Sequence, residues 1–318
     1  MTKLFTRAAL AAVIASFALA RPGLAADTVK VGTPEATAFM FAVLDVGIEA
    51  GLFKKHDLNV EKINFAGGAK LVQALATGDV DISTGGSTEF GFIVKGAPQK
   101  AVAQMAGPPV DLALIVRTDG SIKSPADLKG KKIGDTTAGS LTAWLAGEFA
   151  RRQGWGEDGV VHVHVGGMSS QIAALTTKQV DAIVGPTEGA MKLEAEGRAK
   201  ALVTFGPLMP DFITHFIYAT DKMIAARPDE LRRFLRGWFD TVAWMRQHKA
   251  ESVKIISEVT KTPPDLTAKT YDIEMPALSA DGKFDMKGFE AQKKIFIEPE
   301  LLAKLSGNDR LMTDRYLP

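Results

Sequence analysis

The sequence predicts an α/β protein of two similar lobes, each a mixed, mostly parallel sheet flanked by helices. Three observations lead there. Residues 75–88 recur in outline as residues 175–188: Val80-Asp81 and Val180-Asp181 each open a short apolar run that stops at Gly85 or Gly185. Short apolar strands alternate with helical patterns along most of the chain, as in βαβ units. The chain has 318 residues, 46% of them hydrophobic, enough for two domains with a core in each. A repeat of roughly 100 residues is too long for a solenoid period and suits two lobes.

Taken in order, residues 28–32 form an apolar strand ending in Gly32-Thr33-Pro34, and residues 38–50 carry a helical pattern that Gly51 can cap. Residues 59–65 alternate like a strand through Val60, Ile63 and Phe65. Gly67 and Gly167 precede the helices of the two repeats. In the first copy, Gly85-Gly86 is followed by Ser87 and Thr88, small hydroxyl residues able to cap a helix over 87–94. Strands follow at 101–105 and 112–116, divided by Gly107-Pro108-Pro109. Ser124-Pro125-Ala126-Asp127 has the composition of a capped helical turn, with proline first and the acid third. Then come a short strand at Ile133-Gly134, a helix from Thr136-Thr137-Ala138-Gly139-Ser140 to about Arg152, a strand at 160–165, the second repeat, and a strand at 201–205. From Pro228 the pattern turns helical. Leu231, Phe234, Leu235, Trp238, Phe239, Val242, Trp244 and Met245 make one wide apolar face, read as a packing surface and not as an aromatic binding box. Further helices are expected at 250–259, 265–271 and 287–297.

Composition narrows the function. Thirty-eight basic against 37 acidic residues leave a net charge of +1, which gives no electrostatic footprint for nucleic acid. The absence of cysteine excludes disulfides, thiolate metal sites and a cysteine nucleophile. Lys3 and Arg7, the uncharged run 8–20, and Gly23-Leu24-Ala25 read as a signal peptide over residues 1–26, the apolar run being short for a membrane span. The mature protein is therefore expected to be exported and, in a host with two membranes, periplasmic.

The stretch Glu49-Ala50-Gly51-Leu52-Phe53-Lys54-Lys55-His56-Asp57-Leu58-Asn59-Val60 resembles a segment of the nitrate/sulfonate/taurine-type periplasmic solute-binding proteins of ABC transporters. Gly78-Asp79-Val80-Asp81 with Thr84-Gly85-Gly86-Ser87-Thr88, the run 124–132, Gln179-Val180-Asp181-Ala182 and Asp314-Arg315-Tyr316-Leu317-Pro318 are similar to further markers of that family, in the same order. The resemblance implies a two-lobed type II periplasmic-binding-protein fold with two crossover segments, closing on a ligand by hinge motion. It places one lobe at residues 27–112 plus 215–318 and the other at 113–214. It also implies permease subunits of the inner membrane as partners, and a monomer.

The candidate site residues sit where strands end and helices begin. Thr33 ends the first strand. Thr84, Ser87 and Thr88 are placed where backbone N–H groups and hydroxyls can receive an anion's oxygens, a geometry shared with plain helix capping. Thr137, Gly139 and Ser140 form the matching element of the second lobe. Two positively polarised helix tips are thus expected to face each other across the ligand. Thr187 and Glu188 occupy the corresponding place in the second repeat. A cleft-lining Glu188 would repel a simple anion and favour an ammonium or a ring N–H, whereas its alternative is an exposed place in a first helical turn. His215, near the second crossover, is either a ligand contact or a satisfied hinge histidine. His162 and His164 share a strand face, but no third ligand has diagnostic spacing, so no metal site is expected. Phosphate-loop and dinucleotide fingerprints are missing, so no cofactor is expected. The leading function is the binding component of an importer for a small organic solute of sulfonate or taurine type, without catalysis. The alternatives are a biosynthetic enzyme of the pyrimidine or menaquinone kind on the same fold, and a periplasmic ligand sensor.

Overall fold

A computed structural model describes residues 26–318. All but the last residue of the expected signal peptide, residues 1–26, lie outside the described residues. Among those described, no helix is long and apolar enough to cross a membrane.

The first sheet has the order β2-β1-β3-β10-β4, from Leu58–Asn64, Asp27–Thr33, Ile82–Gly86, His215–Thr220 and Gln99–Ala106. The second has the order β7-β6-β8-β5-β9, from Val161–His164, Lys132–Asp135, Ala182–Pro186, Leu112–Arg117 and Ala199–Thr204. In each sheet four strands run one way. The fifth, β10 or β5, lies antiparallel to both neighbours. These two are the strands the chain enters just after crossing from the other sheet, at residues 107–111 and 205–214. The two sheets thus repeat one topology, each completed by a strand from beyond a crossover.

The Val-Asp marker has a mechanical role in both. Asp81 accepts the N–H of Lys30 at 3.0 Å, and Asp181 accepts that of Lys132 at 3.0 Å. The backbone returns the bond in each case, Asp81 N–H to the Lys30 carbonyl and Asp181 N–H to that of Lys132. An aspartate at the head of the repeat's strand therefore ties it to the parallel strand beside it.

In the first lobe, helices α1 (Phe39–Glu49), α2 (Gly68–Thr77) and α3 (Glu89–Val94) connect the strands. In the second, α4 (Leu141–Arg152), α5 (Met168–Thr176) and α6 (Thr187–Ala195) do so. The chain then returns to the first lobe through α7 (Asp221–Ala226), α8 (Pro228–Gln247), α9 (Lys249–Thr260), α10 (Pro264–Glu274) and α11 (Met286–Phe296). The apolar face of α8 packs with α1 and β1 in the largest core, burying Phe234, Leu235, Trp238 and Val242, with Phe53 stacked on Phe234 at 5.4 Å. The second lobe holds separate cores, around Leu145, Phe149 and Val184 on one face and around Ile115, Leu175 and Ile183 on the other.

Two elements differ from expectation. The strand β10 is missing from the expected elements: all six of its residues are buried, so no polar alternation marks it. Helix α3 starts at Glu89 and not at residue 87, because Ser87 is drawn into a crossover bond.

Candidate functional site

Between the sheets lies a narrow cavity of about 60 Å³ with an open mouth, below the roughly 300–1,000 Å³ of small-molecule sites. The first lobe contributes Pro34, Glu35, Thr88, Glu89 and Phe92. The second contributes Thr136, Ser140, Leu141, Thr142 and Gln171, and the crossovers add Asp111 and His215. A wider cleft opens beside it past Thr88 and Phe92, reaching Gly139, Trp144, His162 and His164.

Of the residues singled out from sequence, Thr88, Ser140 and His215 line the cavity. Thr33 is buried, its hydroxyl donating to Asn64 Oδ1 at 2.7 Å. Thr84 is buried within β3, and its Oγ1 has no partner among the described residues. Gly139 is exposed at the wider cleft. Ser87 and Thr187 occupy equivalent places in the repeat and do equivalent work at the crossovers. Ser87 Oγ donates to the Ile213 carbonyl at 2.8 Å, and Thr187 Oγ1 to that of Val110 at 2.9 Å. The expectation that Ser87 caps a helix facing the ligand is corrected: its hydroxyl is spent on the second crossover. The crossovers are also joined to each other, His215 Nε2 lying 2.9 Å from Asp111 Oδ2, both residues buried.

Glu188 is neither exposed nor a lining residue. It is buried, and its Oε1 accepts the N–H of Phe39, at the start of α1 in the other lobe, at 2.6 Å. Burial raises its pKa, and the charge of Asp111 adds to the rise. Glu274 on α10 is driven well above the carboxylate range by burial and then by Glu188, so both carboxyls favour the protonated form.

The expected pair of positive helix tips is found on one side only. Helix α4 has Ser140 as its N-cap, with Oγ accepting the Ala143 N–H at 3.2 Å. The N–H groups of Leu141 and Thr142 have no partner among the described residues, and both residues line the cavity. On the first lobe, α3 opens with Glu89, whose carboxyl folds back over Gly85 and accepts from the side-chain amide of Gln99. Burial pushes this carboxyl up to about 8, the Gln99 bond partly opposing the shift. That tip therefore presents an acid and not a row of free amides.

The polar balance of the lining follows. Glu89 Oε1, Asp111 Oδ1, Gln171 Oε1 and His215 Nδ1 are buried atoms without a partner among the described residues. The oxygens of Asp111 and Gln171 are acceptors, while Glu89, its Oε2 taken by Gln99 and its pKa pushed up to about 8, has its proton on Oε1 to donate. Among the described residues, no lysine or arginine lines the cavity. Buried polar groups are costly unless satisfied, so the site calls for an occupant that donates hydrogen bonds at one end and accepts them at the amides of Leu141 and Thr142.

His162 and His164 both turn Nδ1 toward the buried Asp135, at 3.0 and 2.5 Å. A carboxylate only accepts, so each ring carries its proton on Nδ1, and the bond to Asp135 raises the pKa of His162. The rings converge on one carboxylate with centroids 6.4 Å apart.

Glu35, Glu89, Asp111 and Gln171 were not singled out from sequence. Glu35 had a signal: Gly32-Thr33-Pro34-Glu35 corresponds to Gly134-Asp135-Thr136-Thr137, so Glu35 is the counterpart of Thr137. Glu89 had none, because Gln99 is brought to it by the turn between α3 and β4.

Residues 38–252 match the family described as NMT1/THI5 like. A Brucella abortus protein named "Putative binding protein" is 28% identical over 252 residues, covering 76% of this chain and 71% of that protein. A Haemophilus influenzae protein named for thiamine biosynthesis is 30% identical over 145 residues, 45% of each chain. Among solved structures, the alkanesulfonate-binding protein SsuA from Xanthomonas axonopodis pv. citri, bound to MOPS, superposes with a TM-score of 0.74 at 18% identity, over 84% of this chain and 90% of that one. At that identity the likeness is one of fold, the two-lobed architecture of periplasmic binding proteins.

Proposed function

The chain belongs to the NMT1/THI5-like family, and from that premise we propose that it is the exported, periplasmic solute-binding component of an ABC importer, capturing one small organic solute without turning it over. The observation that carries this reading is the cavity itself, enclosed between two sheets and lined by side chains of both. The lobes, 27–112 with 215–318 and 113–214, swing about the two crossovers, and a solute touching both lobes shifts the population toward the closed form. A monomer handing its cargo to permease subunits needs nothing more.

The solute is a small zwitterion or amide-bearing molecule of the taurine kind. Its acidic group sits at the amides of Leu141 and Thr142 with the hydroxyls of Ser140 and Thr88. Its donor groups face Asp111 and Gln171, beside His215. A bare anion such as nitrate would meet the carboxyl side chains of Glu35 and Asp111 and, among the described residues, no lysine or arginine, a poor match. A biosynthetic role is the second reading, favoured by the Haemophilus influenzae relative's name. The cysteine-rich motif of the pyrimidine synthases has no counterpart in a chain without cysteine.

A thermal-shift screen of taurine, alkanesulfonates, nitrate, aromatic carboxylates and pyrimidines on the mature protein tests this. A true ligand at a hundred times its Kd stabilises the native state by about 2.7 kcal/mol, a rise of several degrees in Tm. The expected hits carry both a donor and an acidic or acceptor group, and remain intact after prolonged incubation. Consumption of the best hit would establish the enzyme reading in place of this one.

A further inference from the structure

Three helices that start at the cleft have N-cap residues with no side chain able to cap: Ala38 before α1, Gly67 before α2 and Gly167 before α5. Each takes its cap from the opposite lobe. Glu188 of the second lobe accepts the Phe39 N–H at 2.6 Å, the first exposed amide of α1. Thr137 of the second lobe accepts the Ala69 N–H of α2 at 3.4 Å. In return, Glu35 of the first lobe accepts the Met168 N–H, the first of α5, at 2.9 Å. We infer that this exchange of helix caps across the cleft is the latch that holds the two lobes closed, with Glu35 as its principal positioning residue. The inference rests on the receptor reading and names what holds the closed form of that receptor together.

Several features make Glu35 a built part and not a chance neighbour. Its second oxygen accepts the N–H groups of Ala36 at 2.9 Å and Thr37 at 3.4 Å, so the carboxylate is aimed before the lobes meet. Any side chain at residue 167 would place its Cβ 3.0 Å from Glu35 Oε2, and one at residue 67 would meet Thr137 at 2.8 Å, so both glycines leave room for the incoming cap. Glu35 and Thr137 stand at equivalent places of the duplicated unit, and Gly67 and Gly167 do as well, so the exchange is reciprocal by construction. A carboxylate at the start of the nine-residue α5 also meets the positive end of the helix dipole, which makes Glu35 a stronger cap than a hydroxyl. When the lobes part, α5 and α2 lose their caps together.

The lack of cysteine makes the test direct. Gln73 on α2 and Ala173 on α5 are exposed, one in each lobe. The pair Gln73→Cys and Ala173→Cys, spin-labelled in the full mature chain, reports the separation of the lobes by pulsed electron resonance without ligand. With Glu35 present, the short, closed separation is populated. Glu35→Ala is expected to lower the closed-to-open ratio about fivefold, the worth of one helix cap. Glu35→Gln, which keeps an accepting oxygen, restores most of it. An unchanged distribution in Glu35→Ala, failure of Glu35→Gln to restore it, or a parent protein without the short separation would each overturn the latch. The solute screen decides the receptor reading separately: a chain that binds no solute but shows this shift loses that reading and keeps the cap exchange.

Discussion

Glu89 is a carboxyl confined against Gly85 and Gln99 with almost no access to water. Its pKa of about 8 in the fold, against an ordinary 4.5, fixes the sign of its contribution. The folded protein holds the proton more tightly than the unfolded chain, so this stability is complete below pH 4.5 and is lost as pH rises through 8. Tm is therefore expected to fall between about pH 5 and pH 8. Glu89→Gln should make the decline shallower, with part of the slope remaining from Glu188 and Glu274, which burial shifts the same way. A slope in Glu89→Gln as steep as in the parent would contradict this. The Val-Asp markers supply a second comparison. Asp81 holds Lys30 N–H and also Arg227 Nη1 at 2.9 Å, whereas Asp181 holds Lys132 N–H. In urea unfolding, Asp181→Ala should cost about 1 kcal/mol and Asp81→Ala measurably more. These aspartates were visible in the sequence because the repeat prints them twice. Glu89 was not, because its meaning depends on Gln99 and on the missing side chain of Gly85, which only the folded chain brings together.

At the scale of elements, the helices were legible wherever apolar residues recur on one face. The face of α8 was read in sequence as a packing surface, and Trp238 is fully buried there. Trp238→Ala should cost about 3–5 kcal/mol by denaturant unfolding and leave solute affinity unchanged, because the side chain lies in the core behind α1 and away from the cavity. Ser140→Ala makes the opposite combination. Losing the N-cap of α4 costs about 1 kcal/mol of stability, and the same hydroxyl lines the cavity, so calorimetric affinity should fall as well. The strand β10 escaped the sequence reading because it is central and buried on both faces, which removes the alternation that betrays an edge or half-exposed strand. The shortened α3 escaped for another reason. Ser87 and Thr88 look like caps, but a crossover carbonyl competes for the Ser87 hydroxyl.

At the scale of the molecule, duplication made the architecture readable: one topology occurs twice, each copy completed by a strand arriving from the other side. What meets across the cleft was far less readable, since Glu35 and Met168 lie 133 residues apart, and Phe39 and Glu188 lie 149 apart. Those encounters decide the character of the site. The protein's own Glu35 and Glu188 already occupy two helix starts, and Glu89 stands at a third, which leaves α4 as the seat for one acidic group of a solute. The account therefore turns on where a captured molecule sits. A crystal structure of the mature protein with the tightest-binding solute of the screen is predicted to show it between the sheets, with an acidic or acceptor group on the amides of Leu141 and Thr142 and a donor group toward Asp111 or Gln171. A solute bound on the surface of one lobe alone, with the cavity between Thr88 and Ser140 left unfilled, would contradict the account.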